Sequence, residues 1–138
     1  MKKIINYPDG SKYTGDLKNG KQHGQGTITY PDGEKYIGKW KDGLYHGQGT
    51  QTIKGEKYVG QWKNNLQHGK GTLIYMDGDK YVGQWKNNLR HGHGTMIFLN
   101  GEKYIGKWKE DLRHGKGTIV HPDGSKYFGK WKLDVIVE

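Results

Sequence analysis

Apolar and polar positions alternate along this chain in short stretches. In YVGQW, residues 81–85, an extended backbone places Tyr81, Gly83 and Trp85 on one side and Val82 and Gln84 on the other. GHGTMIF, residues 92–98, alternates again, with Gly92, Gly94, Met96 and Phe98 opposite His93, Thr95 and Ile97. A period of two, filled by aromatic and β-branched residues, predicts strands. The intervening KNNLRHG holds an Asn pair and a Gly suited to a tight connection, and LNG turns the chain into the next EKYIGKW. Each unit therefore reads as a β-hairpin. The links between hairpins are too short for anything but antiparallel neighbours. No ten-residue stretch both lacks glycine and shows a 3.6-residue period, so essentially no helix is expected.

The hairpin is repeated. Tyr13, Tyr36, Tyr58, Tyr81, Tyr104 and Tyr127 recur at steps of 23, 22, 23, 23 and 23 residues. Each is followed by Gly two positions on and by Trp two further (Trp40, Trp62, Trp85, Trp108, Trp131), with Leu17 in the first unit. His23, His46, His68, His91 and His114 open HGxG segments, and a PDG or DG turn closes most units. A fixed period of this length marks a repeat architecture. Glycine between two aromatics is expected to let the strand bend and to leave floor space for a neighbouring ring.

The pattern YxGxW…HGxG…DG at this period resembles the MORN repeat family. The resemblance implies an all-β fold: an elongated, twisted, single-layer antiparallel sheet of consecutive hairpins. One domain, 1–138, is expected, with a half-repeat at 1–12, repeats starting at 13, 36, 58, 81 and 104, and a C-terminal capping half-repeat at 127–138. The second copy is one residue short, in TQTIKGEK, which is expected to shift the twist near Gly55. Asn65, Asn88 and Asp111 stand where the first two copies have Gly20 and Gly43. Repeats of this family are usually non-catalytic docking surfaces for proteins, often in membrane-associated or cytoskeletal assemblies, and are also described as binders of acidic phospholipids.

Composition alone points elsewhere. Leu, Ile, Val and Phe make up about 18% of the chain, and the net charge is +9, a combination typical of disorder. The register of the 17 aromatic residues and 24 glycines overturns that reading, because a disordered chain keeps no 23-residue phase. No run of 18 apolar residues predicts a membrane span, and MKKIINYPDG lacks the apolar segment of a signal peptide. A cytoplasmic location, membrane- or cytoskeleton-associated, is the resulting expectation.

Catalysis and metal binding find no support in the pattern. Equivalent histidines lie two strands apart, roughly 10 Å, whereas two ligands on one zinc sit within about 4 Å. The turn aspartates Asp9, Asp32, Asp77 and Asp123 form no Asp-x-Asp-x-Asp series and suit backbone capping. Ser11 and Ser125 are the only serines, both in turns, and there is no cysteine. No enzyme activity and no cofactor are expected.

Binding remains. An aromatic-lined groove formed by Tyr36, Trp40, Tyr58, Trp62, Tyr81, Trp85, Tyr104 and Trp108 is expected to dock a peptide or amphipathic helix of a partner protein. The lysine rows, with Lys63, Lys86, Lys107, Lys109, Arg90 and Arg113 as candidates, offer a second role on anionic phospholipid, phosphoinositide or phosphatidylserine. Only two of the 23 basic residues are arginine, so no specific nucleic-acid recognition is expected. The end strands could pair two copies into a homodimer.

Overall fold

The computed structural model describes residues 2–137. Met1 and Glu138, the outermost residues of the two expected half-repeats, lie outside the described residues. Thirteen strands follow one another: β1 Lys3–Asn6, β2 Lys12–Lys18, β3 Lys21–Thr29, β4 Lys35–Lys41, β5 Leu44–Ile53, β6 Glu56–Lys63, β7 Leu66–Ile74, β8 Lys80–Lys86, β9 Leu89–Ile97, β10 Lys103–Lys109, β11 Leu112–Val120, β12 Lys126–Lys132 and β13 Val135–Val137. They form a single antiparallel sheet in chain order. No helix occurs among the described residues, hence none long and apolar enough to cross a membrane.

Two kinds of turn build this order. The first strand of each unit passes to its second through two residues, both at positive φ, as at Asn87 (50°) and Asn88 (70°). That is the turn whose twist matches the strands it joins. The link to the next unit is longer. In Tyr30–Glu34, Gly33 N–H donates to Tyr30 O at 3.0 Å, and Tyr30 N–H donates to Glu34 O at 2.8 Å. Asp32 Oδ1 accepts the N–H of Glu34, and Asp9, Asp77, Asn100 and Asp123 repeat that contact at 2.8–3.0 Å. The aspartates therefore cap turns. The one-residue deletion is absorbed without a break in register: Lys54 and Gly55, at φ 44° and 85°, make a two-residue turn closing on the pair Ile53–Glu56.

The HG dipeptide is a bulge. Pairing of β8 with β9 jumps from Gly83–Gly94 to Trp85–Arg90, and Gly92 adopts φ 78°. Such a bulge bends the strand and leaves ladder groups unpaired. The next unit supplies partners for them. Asn88 N–H donates to Gln67 O at 3.1 Å, while Asn88 Oδ1 accepts the Gln67 N–H at 2.8 Å. Asn65, Asp111 and Asp134 grip Tyr45, Arg90 and Arg113 in the same two-bonded way. Gly43 manages only the first of the two bonds, to Gln22 O. The replacement of Gly by Asn or Asp from the third unit onward thus adds a clamp between successive units.

The core lies on one face. Gly15, Gly26, Gly38 and Gly49 are successive cross-strand partners, and the file continues to Gly129. Each tyrosine lies across this file. A Cβ on Gly94 would stand 2.0 Å from Tyr81 Oη, and one on Gly83 would stand 2.4 Å from the Gly94 backbone. The glycines therefore let paired strands close up and let the unit's own Tyr lie flat on them. The hydroxyls of Tyr13, Tyr36, Tyr58, Tyr81 and Tyr104 each donate to the carbonyl three residues on, as Tyr81 does to Gln84 O at 2.9 Å. Trp rings stand edge-on between consecutive tyrosines. Trp85 lies 5.1 Å from Tyr81 and 5.5 Å from Tyr58, at 83° and 85°. Its Nε1–H donates to Gly71 O at 3.1 Å.

Burial pushes the phenols of Tyr36, Tyr45, Tyr58 and Tyr81 far above their ordinary value, and those of Tyr13 and Tyr104 rise for the same reason. An unfolded tyrosine loses its proton near pH 10, a folded one only well above it. Above about pH 10 the folded chain holds more protons than the unfolded one. Stability is therefore complete below that pH and falls as pH rises through it, by up to about 1.4 kcal/mol per unit for each ring. Alkaline titration should show steep unfolding. The main rise in tyrosinate absorbance, from the buried rings, is expected to coincide with the loss of circular dichroism, and ionisation of most tyrosines while the sheet stays intact would contradict this burial.

Candidate functional site

The two faces of the sheet have opposite chemistry. Along β4 the alternation Lys35, Ile37, Lys39, Lys41 against Tyr36, Gly38, Trp40 reads exposed against buried without exception. The eight rings expected to anchor a partner all lie on the second face, with at most 6% of their surface exposed. Their area is used on one another, and further residues cover them. Tyr45 stacks on Tyr36 at 3.8 Å. Arg90 lies over Trp108 at 4.7 Å, and Arg113 lies over Tyr104 at 5.8 Å. The aromatic file is the core of the sheet, and it offers a partner no open ring between Tyr36 and Trp108.

The candidate basic residues separate in the same way. Arg90 Nε donates to Asp111 Oδ1 at 3.1 Å and its Nη2 donates to Asp111 O at 2.9 Å. Arg113 makes the same pair of bonds with Asp134. Both guanidinium groups roof the core and are tied to the following turn. Lys63, Lys86 and Lys109 instead end β6, β8 and β10 on the open face, and Lys107 lies on that face beside the bulge of β11. Among the described residues no lysine takes part in an ion pair.

The open face carries a feature absent from the candidate list. Thr27, Ile37, Thr50, Val59, Thr72, Val82, Thr95, Ile105, Thr118 and Phe128 are successive cross-strand partners. They make one file across the sheet, β-branched up to its last member, Phe128. Its apolar members stay exposed, Val82 at 41%, Ile105 at 46% and Phe128 at 73%. A parallel file holds Lys39, Gln61, Lys70, Gln84, His93, Lys107, Lys116 and Lys130. Between the two runs the backbone of the glycine file. A hollow of about 900 Å³ opens there, walled by Ile105, Thr118 and Phe128 on one side and Lys116 and Lys130 on the other. A second, of about 580 Å³, lies over Val59, Val82, Gln61 and Gln84.

The serines serve their turns, and three of the HG histidines are turned inward. Nδ1 of His46, His68 and His114 is buried, with no hydrogen-bond partner among the described residues. Ser11 and Ser125 donate their hydroxyls to Asp9 and Asp123 at 2.6 Å within their turns. Those bonds hold both carboxyl groups below the usual carboxylate range.

Comparison with known proteins bears on the repeat. The family model described as MORN repeat matches residues 13–35, 36–54, 58–80, 81–103 and 104–126. No curated protein matches the chain. Among solved structures, the TCP domain of SAS-4 (dCPAP) from Drosophila melanogaster, in complex with a proline-rich motif of Ana2 (dSTIL), is similar at 13% identity and a TM-score of 0.47. That match covers 94% of this chain and 90% of the other.

Proposed function

Because this chain belongs to the MORN repeat family, we propose that it is a non-catalytic scaffold that docks a partner protein along its open face. One observation carries the reading. The exposed file Ile37, Val59, Val82, Ile105 and Phe128 runs across the strands, and no described residue covers it. Aliphatic side chains and Phe128 alternate there with threonines, although the opposite face already supplies the core. Uncovered apolar surface of this continuity, rimmed by polar side chains, is the usual mark of an interaction site. The partner would be an extended peptide or a helix lying across the strands, with its long axis following the glycine file.

The test is a double substitution that leaves the core alone, Val82→Glu with Ile105→Glu. Both side chains point to solvent, so the circular dichroism spectrum should be unchanged. Capture of partner proteins from extract by the immobilised chain is expected to fall by about tenfold or more, which corresponds to about 1.4 kcal/mol. Undiminished capture would remove the open face as the docking surface.

The lysines support a second reading. Lys63, Lys86, Lys107 and Lys109 share the open face with the aliphatic file, an arrangement suited to an anionic membrane, where each surface charge contributes about 1 kcal/mol. Binding to phosphatidylserine vesicles that persists at about 150 mM salt would favour it. The exposed apolar residues of β13, Val135 and Ile136, are the surface an end-to-end homodimer would use.

A further inference from the structure

The bulge in each unit leaves one strand amide without a ladder partner, and the way units fill that position differs. In the first unit Asp16 Oδ2 accepts the Gln25 N–H at 3.1 Å. In the third, Gln61 Oε1 accepts the Lys70 N–H at 3.0 Å, and in the fourth Gln84 Oε1 accepts the His93 N–H at 2.9 Å. The second and fifth units have Lys39 and Lys107 at this position, and lysine has no oxygen to offer. The equivalent amides, of Gln48 and Lys116, receive no side-chain oxygen from any described residue. Around Lys116 the pairing of β10 with β11 passes from Gly106–Gly117 directly to Trp108–Arg113, so β10 offers it no paired residue on that side.

Cations collect at the fifth unit. The stem of Lys107 packs by Gly115, where a Cβ would meet its Cδ at 3.4 Å. Lys116 stands directly across from Lys130. Like charges placed opposite each other cost stability, and among the described residues no carboxylate pairs with any of them. The first unit shows what such a site accepts, since there a carboxylate of the chain itself sits on the amide. Across the glycine floor the other wall is apolar, with Ile105 and Phe128 exposed above the 900 Å³ hollow.

We propose that this hollow receives an extended, acidic segment of the partner protein, in which carboxylate and aliphatic side chains alternate. The proposal rests on the protein-docking reading and specifies its occupant. An extended chain sends successive side chains to opposite sides. Laid along the glycine file, it directs one set toward Lys107, Lys116 and Lys130 and the other toward Ile105 and Phe128. One carboxylate occupies the position at the Lys116 N–H that Asp16 fills at Gln25.

The test uses the full chain and a fluorescein-labelled peptide of about ten residues alternating Glu and Val, followed by anisotropy at about 150 mM salt. Binding is expected, with a Glu–Ser peptide of equal charge at least about tenfold weaker. Lys107→Gln places in the fifth unit the residue that already fills this position in the third and fourth. It should fold normally, set its own oxygen on the Lys116 N–H and weaken binding by about tenfold or more. Lys57→Gln removes the same charge at a unit already filled by Gln61 and should change affinity less than about twofold. Equal losses for the two variants, or equal binding of the Glu–Ser peptide, would reduce the effect to net charge and overturn the proposal. If no peptide binds while partner capture still depends on Val82 and Ile105, the acidic–aliphatic occupant is refuted and the docking face stands. If capture fails as well, both readings fall.

Discussion

Replacing Gly94 by alanine is expected to cost about 3 kcal/mol, at the upper end of what one added carbon does in a packed core. The new Cβ would stand 2.0 Å from Tyr81 Oη and 2.4 Å from its Cζ. The ring cannot step aside. Trp85 and Trp108 stand against its sides at 5.1 and 5.5 Å, and its hydroxyl is held by Gln84 O. Tyr81 would have to leave the sheet surface and take both tryptophan contacts with it. Gly124→Ala is the control. Gly124 adopts φ 90° but has nothing within 4 Å of a built Cβ, so its substitution carries backbone strain alone, on the order of 1 kcal/mol. Guanidinium denaturation of the two variants separates the roles, and similar midpoints would mean that the Tyr–Gly contact is not what holds the unit together.

Trp85→Ala should cost more, about 3–5 kcal/mol, the range for emptying a buried aromatic site. Trp85 is 5% exposed and stands edge-on between Tyr58 and Tyr81. Its removal leaves a void there and takes away the indole N–H bond to Gly71 O. The shape of the transition should change as well. Repeat arrays are stabilised by each unit and by its interface with the next, and this substitution strikes one interface. Unfolding followed by hydrogen exchange is expected to separate into two steps, with β2–β6 and β10–β12 exchanging at different denaturant concentrations. A single cooperative transition shifted as a whole would show that coupling extends beyond nearest neighbours.

Much of this architecture is legible in the residues. Steps of 22 and 23 between tyrosines, the alternation in YVGQW and the turn-forming NN, NG and PDG segments suffice for hairpins in chain order. The faces are legible too, because a period of two assigns Tyr81 and Val82 to opposite sides. What stays hidden is which face is left open. Tyr and Trp suggest anchors, since large rings on an uncovered sheet ought to be available. Their burial depends on contacts made across strands. Tyr81 lies on Gly94 of the neighbouring strand, and Arg90 reaches Trp108 only because the HG bulge redirects β9. Neither contact leaves a mark in local periodicity. The clamp formed by Asn88 on Gln67 joins residues 21 apart and reads in the sequence only as a glycine replaced. The Lys116 amide, which no side-chain oxygen of the described residues reaches, is similar, since it stands out only when Asp16, Gln61 and Gln84 are seen filling the same position elsewhere.

Every strand of this sheet bonds only to its predecessor and successor in the chain. Most all-β domains join segments distant in sequence and fold slowly for that reason. Here loop closure never spans more than one hairpin, so the array can form by zippering from any unit. It also has no fixed size. Duplicating one 23-residue unit in phase would add two strands and about 10 Å of length while leaving every other interface as it was. An insertion of odd length inside a strand would turn the residues beyond it to the other face and break the stack, whereas a turn can absorb a change of one residue, as it does at Lys54 and Gly55. Copy number thus acts as a molecular ruler, and gene duplication can change the reach of the docking face without redesigning any part of it.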